Sequence, residues 1–185
     1  ELETAGVAGL SIEDTELPQP YGVEGQRLLS IEEGVGKMRA AVAAKQDPAL
    51  VVAGRTSAAA IEGLDAAIQR AKAYETAGVD ALFMVGVTTR AEVDAISAAT
   101  KLPLILGGAT PELADLDYLA ARRVRIALQG HQPIMAAIQA IHDTLRALRD
   151  GVAPKDLKGL PGKDLVRIAT RSDRYDKWSE DYLGG

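Results

Sequence analysis

The feature that most constrains this chain is an alternation: a short run of β-prone apolar residues, then a longer stretch of helical periodicity, repeated five times. The runs are Val7 to Ile12, Leu50 to Ala53, Ala81 to Val85, Pro103 to Leu106 and Val124 to Leu128. Strands that follow one another through helices are parallel, because parallel neighbours need a long crossover. The fold class is therefore α/β. The runs are continuous rather than alternating, which predicts strands covered on both faces. Two architectures remain, an open doubly wound sheet and a (β/α)8 barrel. A closed barrel needs eight strands and usually about 250 residues, whereas 185 residues hold five such runs.

Helix boundaries are marked by capping chemistry. Ser30 with Glu33 and Thr89 with Glu92 have capping-box spacing. Thr110-Pro111 reads as the N-cap and first position of a helix, Gly78 ends one spanning about 62–77, and Gly151 ends one spanning 133–150. Residues 1–151 thus form the repeating βα part. Beyond Gly151 the pattern changes to Pro154, Gly159, Pro161 and Gly162, with short helices near 163–170 and 173–182. Residues 152–185 read as an appendage whose Trp178, Tyr182 and Leu183 dock on this subunit or on a neighbour.

Composition removes several function classes. With 21 Lys plus Arg against 26 Asp plus Glu, a net charge of -5, and only one Trp, five Tyr and one Phe, the chain lacks a nucleic-acid surface. Its lack of cysteine excludes thiolate nucleophiles, Cys-bound zinc and disulfides, and fits a reducing compartment, the cytoplasm. No apolar run reaches the roughly 18 residues of a membrane span. Walker, GxGxxG, His-x-x-x-His and Gly-x-Ser-x-Gly motifs are missing. The chain opens without Met in mid-pattern, so it is expected to be part of a longer protein.

In α/β sheets and barrels ligands bind beyond the carboxyl ends of the strands. The first run delivers Glu13 and Asp14, adjacent acids suited to a hard cation or its water shell, or a plain surface pair. The second delivers Arg55 after Val51-Val-Ala-Gly54. Two readings stand for it, a clamp for a substrate carboxylate and an internal salt bridge to a strand-end acid. Thr56 and Ser57 either orient Arg55 or cap the following helix. After the fifth run, His131 either donates to an anionic substrate at a helix start or caps that helix. His142, beside the stripe Ile134, Ile138, Ile141 and Leu145, reads as a surface or boundary residue, and Gly107-Gly108 as a phosphate cradle or a tight turn.

These strand ends carry a resemblance. Ala5-Gly-Val-Ala-Gly-Leu-Ser-Ile-Glu-Asp-Thr-Glu-Leu-Pro18, Val51-Val-Ala-Gly-Arg-Thr-Ser57 and Ala77-Gly-Val-Asp-Ala-Leu-Phe83 resemble the isocitrate lyase and phosphoenolpyruvate mutase superfamily over nearly the whole chain. Leu29-Ser-Ile-Glu-Glu-Gly-Val-Gly-Lys-Met38 and Arg125-Ile-Ala-Leu-Gln-Gly-His131 are most similar to its oxaloacetate decarboxylase subgroup. The resemblance implies a (β/α)8 TIM barrel of which this chain carries the last five βα units and C-terminal helices. It also implies a homotetramer with exchanged helices, Mg2+, and a small α-keto dicarboxylate substrate.

By the same resemblance Arg55 is the catalytic substrate-carboxylate ligand and His131 a second substrate ligand with a possible part in protonation. Glu13 is the acid of the metal's outer shell, acting through water, and the family's direct Asp ligand has no counterpart here. The implied reaction is loss of CO2 from oxaloacetate to give pyruvate. The lyase branch carries a Lys-Lys-Cys-Gly-His loop where this chain has Pro18-Gln-Pro-Tyr-Gly22, which leaves lyase acid–base chemistry without a candidate. Carbon–phosphorus chemistry on a phosphonopyruvate-like acid, and an inactive truncated barrel serving only in assembly, are the competing expectations.

Overall fold

The alternation is realised as a parallel sheet. The computed structural model describes residues 1–108 and 110–184, with strands β1 (Gly9–Glu13), β2 (Val51–Thr56), β3 (Ala81–Met84), β4 (Leu104–Leu106) and β5 (Val124–Ala127). The helices are α1 (Ile31–Ala44), α2 (Ala58–Ile61), α3 (Leu64–Ala77), α4 (Arg90–Ala99), α5 (Leu116–Ala121), α6 (Gln132–Arg149), α7 (Lys163–Thr170) and α8 (Ser172–Leu183). The chain divides into two compact units, Glu1–Gly130 with all five strands and His131–Gly185 with α6, α7 and α8.

Strand order in the sheet follows the chain, β1-β2-β3-β4-β5, every pair parallel. A doubly wound sheet reverses its strand order at a switch point, and this sheet has no reversal. Right-handed crossovers between successive neighbours place their helices on one face; α1 packs on α3, and α3 on α4. That face forms the core of the first unit: Leu82, Met84, Leu104 and Leu106 meet Met38, Ala67, Ala71, Tyr74, Val93 and Ile96, all at most 1% exposed. The alanines of α3 let its backbone approach the sheet closely.

The opposite face differs from the expectation of strands covered on both sides. Val51 and Ile126 are 41% and 49% exposed, and Glu13, Arg55 and Phe83 are partly exposed. The uninterrupted apolar runs reflect one helix-covered face interleaved with a second face that is itself largely apolar.

Caps and turns follow local chemistry. Ser30 Oγ accepts from the Glu33 N–H at 3.1 Å, Thr89 and Glu92 form a complete capping box, and Gly78 closes α3 at φ 94°. Thr110-Pro111 opens only a three-residue 3-10 turn. The helix proper, α5, starts with Asp115, whose carboxylate takes the Tyr118 N–H at 3.0 Å. Thr110 instead donates to the Thr88 carbonyl at 2.8 Å. Thr56, not Ser57, uses its side chain at the next helix start, where Thr56 Oγ1 accepts from Ala58 N–H at 3.2 Å.

Candidate active site

The register aligns one residue from each strand near its carboxyl end: Glu13, Arg55, Phe83, Ile105 and Ile126 form a single row. On β2, a Cβ on Gly54 would lie 3.3 Å from Tyr74 of α3, so Gly54 faces the helices and its neighbour Arg55 faces the open side. The row runs from charged on β1 and β2 to apolar on β3, β4 and β5.

Arg55 Nε lies 3.4 Å from Glu13 Oε2, with 35% and 28% of the two side chains exposed. The guanidinium carbon is 5.1 Å from the centroid of the Phe83 ring, within cation–π range. Thr15 Oγ1 donates to Glu13 Oε1, and Lys37 Nζ donates to the Glu13 carbonyl at 2.6 Å. Nε of Arg55 is enclosed yet makes no hydrogen bond among the described residues. The internal salt bridge is thus the reading of Arg55 that the geometry displays. A partly exposed ion pair is worth about 1 kcal/mol or less, whereas hydrogen bonds to charged groups contribute about 1.5–3 kcal/mol each. Contact with Glu13 through Nε leaves the fork of terminal nitrogens for an incoming carboxylate.

Asp14 does not join Glu13. The expected strand end was Ile12, but β1 runs on to Glu13, so strand alternation still separates the two acids. Asp14 is 0% exposed and lies on the helix side, where Oδ2 accepts from Tyr74 Oη at 2.6 Å and from Arg70 Nη1 at 3.1 Å. Removing one partner from a buried pair of this kind typically costs about 3–5 kcal/mol. Among the described residues no group of three or more His, Asp or Glu gathers where it could hold a metal ion.

His131 begins the second unit. It occupies the N-cap position of α6 with φ -107° and ψ 17°, but its side chain makes no capping hydrogen bond. It is exposed. His142 pairs with Asp143 at 3.2 Å and is 63% exposed, a surface position. Gly107 makes a tight approach to β3: its N–H reaches the Met84 carbonyl at 2.9 Å, and a Cβ there would sit 3.0 Å from Val85. That is the behaviour of the tight-turn alternative.

Phe83, Thr15 and the Asp14–Arg70–Tyr74 group were not singled out from the sequence. Phe83 is findable by register, since it holds in β3 the place of Arg55 in β2. Arg70 and Tyr74 share a helix face by their i, i+4 spacing, and an Arg on the buried side of an Ala-rich helix is the signal of an inward acid.

The profile of the phosphoenolpyruvate phosphomutase family matches residues 1–149. The oxaloacetate decarboxylase of Bradyrhizobium sp. (strain ORS 278) is 59% identical over 184 residues, covering 100% of this chain and 64% of that protein. That of Rhodopseudomonas palustris (strain BisA53) is 55% identical over 184 residues, with the same coverage of 100% and 64%. The chain thus spans 64% of the length of these relatives. Among solved structures, a phosphonopyruvate hydrolase complex with oxalate and Mg2+ superposes with a TM-score of 0.77 at 32% identity, over 98% of this chain and 65% of that one. Oxaloacetate acetylhydrolase with 3,3-difluorooxalacetate gives 0.75 at 26% identity, over 98% and 63%.

Proposed function

The chain belongs to the phosphoenolpyruvate phosphomutase family, and from that premise we propose that it is the larger part of an enzyme that decarboxylates oxaloacetate to pyruvate and CO2. Relatives of that name are 55–59% identical along essentially the whole chain. The observation that carries the reading is the Arg55–Glu13 arrangement at the strand ends, which leaves a guanidinium fork available to a dicarboxylate.

In the proposed reaction Arg55 holds a carboxylate of the α-keto acid in two parallel hydrogen bonds and fixes the angle of the bond to be broken. The electrons of that carbon–carbon bond pass toward the keto oxygen as CO2 leaves, and the resulting enolate takes a proton at carbon to give pyruvate. His131 is proposed as a second substrate ligand on the strength of the family resemblance. Phe83, Ile105 and Ile126 line the row beside Arg55 with apolar surface, which limits water around the departing carboxylate.

Mg2+ is the proposed cofactor, and when bound it supplies charge stabilisation at the developing oxyanion. The described residues do not form its first shell: Asp14 is committed to Arg70 and Tyr74, and Glu13 stands alone on the open face, suited to contact through water. The direct ligand is proposed to lie outside this chain.

The sequential strand order supports five βα units of a (β/α)8 barrel over residues 1–151, with the open face turned to the lumen. Residues 152–185 are the proposed appendage, exchanged between subunits of a cytoplasmic homotetramer.

In the intact natural protein, Arg55→Ala is expected to lower kcat/KM for pyruvate formation by on the order of 10²–10³. Normal turnover in that variant would sink the clamp. A second reading, carbon–phosphorus bond cleavage, is favoured by the likeness to phosphonopyruvate hydrolase. Assaying both substrates separates them, since one releases CO2 and the other phosphate.

A further inference from the structure

Asp14 adjoins Glu13 yet serves the opposite side of the sheet. Its Oδ2 takes hydrogen bonds from Tyr74 Oη at 2.6 Å and Arg70 Nη1 at 3.1 Å, and Arg70 Nη2 reaches Glu62 Oε2 at 3.2 Å. All three central residues are buried: Asp14 and Tyr74 at 0% exposure, Arg70 at 4%. The cluster is defined from several elements. A Cβ on Gly34 of α1 would collide with the Tyr74 hydroxyl, and one on Gly54 of β2 would press the same ring at 3.3 Å. Two neighbouring elements thus leave out a side chain where the tyrosine passes. Burial, together with donation to Asp14, pushes the Tyr74 pKa up, so the hydroxyl stays a donor. Burial opposes the charge on Arg70, but the Tyr74 hydrogen bond and the Asp14 charge outweigh it and raise its pKa.

The backbone of Asp14 is tied as firmly. Its N–H donates to the Arg55 carbonyl at 3.3 Å, and its carbonyl accepts from Leu29 N–H at 2.8 Å, where the loop after β1 returns. Thr15 and Leu28 form an antiparallel bridge beside it. A shift of Asp14 therefore moves Glu13, Arg55 and both ends of that loop together.

We infer that the buried Asp14–Arg70–Tyr74 cluster is a positioning device for the Arg55 clamp: it anchors the end of β1 so that the Glu13 carboxylate meets Arg55 Nε and the terminal nitrogens remain free for an anion. None of the three residues faces the open side, so each acts through Glu13 and Arg55. This rests on Arg55 being the carboxylate clamp.

The test uses the intact natural protein with Tyr74→Phe, Asp14→Asn and Arg55→Ala. Oxalate affinity is measured calorimetrically in MgCl2 well below each melting temperature, alongside KM and kcat on oxaloacetate. Asp14→Asn is expected to weaken oxalate binding and raise KM by about tenfold, and Tyr74→Phe by about threefold, with kcat within about twofold, the pattern of lost uniform binding. A lowered melting temperature with unchanged oxalate affinity in Tyr74→Phe, which keeps the ring and its packing, would overturn the proposal whether or not Asp14→Asn folds. Undiminished oxalate binding by Arg55→Ala would instead remove the clamp itself, and the proposal with it. Loss of binding in Arg55→Ala alone leaves the clamp standing and defeats only the positioning role.

Discussion

Arg55 meets three neighbours of different kinds: a carboxylate at 3.4 Å, an aromatic face at 5.1 Å and solvent over about a third of its side chain. The carboxylate sets one edge of the guanidinium and the ring supports one face, which leaves the outer edge for a ligand. A partly solvated cation–π contact is worth about 0.5–1 kcal/mol, enough to bias an arginine rotamer. Phe83→Leu keeps an apolar side chain on β3 and removes that support. It is expected to raise KM for oxaloacetate about two- to fivefold with kcat nearly unchanged, by steady-state kinetics. An equal fall in kcat would move Phe83 into the chemical step. Arg55 and Glu13 were legible from sequence because each is a charge ending an apolar run. The Asp14 partnership was not, because extending β1 by one residue decides whether neighbouring acids share a loop or part to opposite faces.

Helix starts show where local chemistry suffices. At α4, Glu92 Oε2 accepts from the Thr88 N–H at 2.8 Å and the Thr89 N–H at 2.9 Å, while Thr89 Oγ1 takes the Glu92 N–H at 3.3 Å. The Thr88 N–H foremost, helped by Thr89 and opposed by burial, holds the Glu92 carboxyl below its ordinary value of 4.5. A depressed folded-state pKa gives stability that is complete above the unfolded value and fades as pH falls through the folded one. Melting temperature is therefore expected to fall more steeply below about pH 4.5 in the natural protein than in Glu92→Gln; parallel curves would contradict this. Thr89→Ala should cost about 1 kcal/mol at neutral pH, by chemical denaturation. Thr89 with Glu92 was legible because a capping box is self-contained within four residues; Ser30 makes only its own half, accepting from the Glu33 N–H. Thr110 was misleading because its hydroxyl finds a carbonyl 22 residues earlier in the chain, a tertiary partner that no local spacing announces.

The whole chain asks what covers its apolar surfaces. Alternation fixed the α/β class and the number of strands, but the choice between doubly wound and sequential order lies in pairings between segments dozens of residues apart. The sequential order leaves one sheet face open, and within the second unit α6 carries Ile134, Met135, Ile138, Ile141 and Leu145 at 55–61% exposure. Their spacing puts four of them on one stripe. Full burial of such side chains contributes about 1.5–3 kcal/mol each, so a stripe of this length calls for a cover, from the same subunit or from a neighbour. If α6 belongs to the subunit contacts of the proposed homotetramer, Ile138→Glu places a charge mid-stripe and should convert the intact natural protein to smaller species in sedimentation velocity at micromolar concentration. Far-ultraviolet circular dichroism of the variant should match that of the natural protein, which separates lost assembly from lost folding. An unchanged assembly in that variant would exclude α6 from the contacts and leave its stripe to be covered within the subunit.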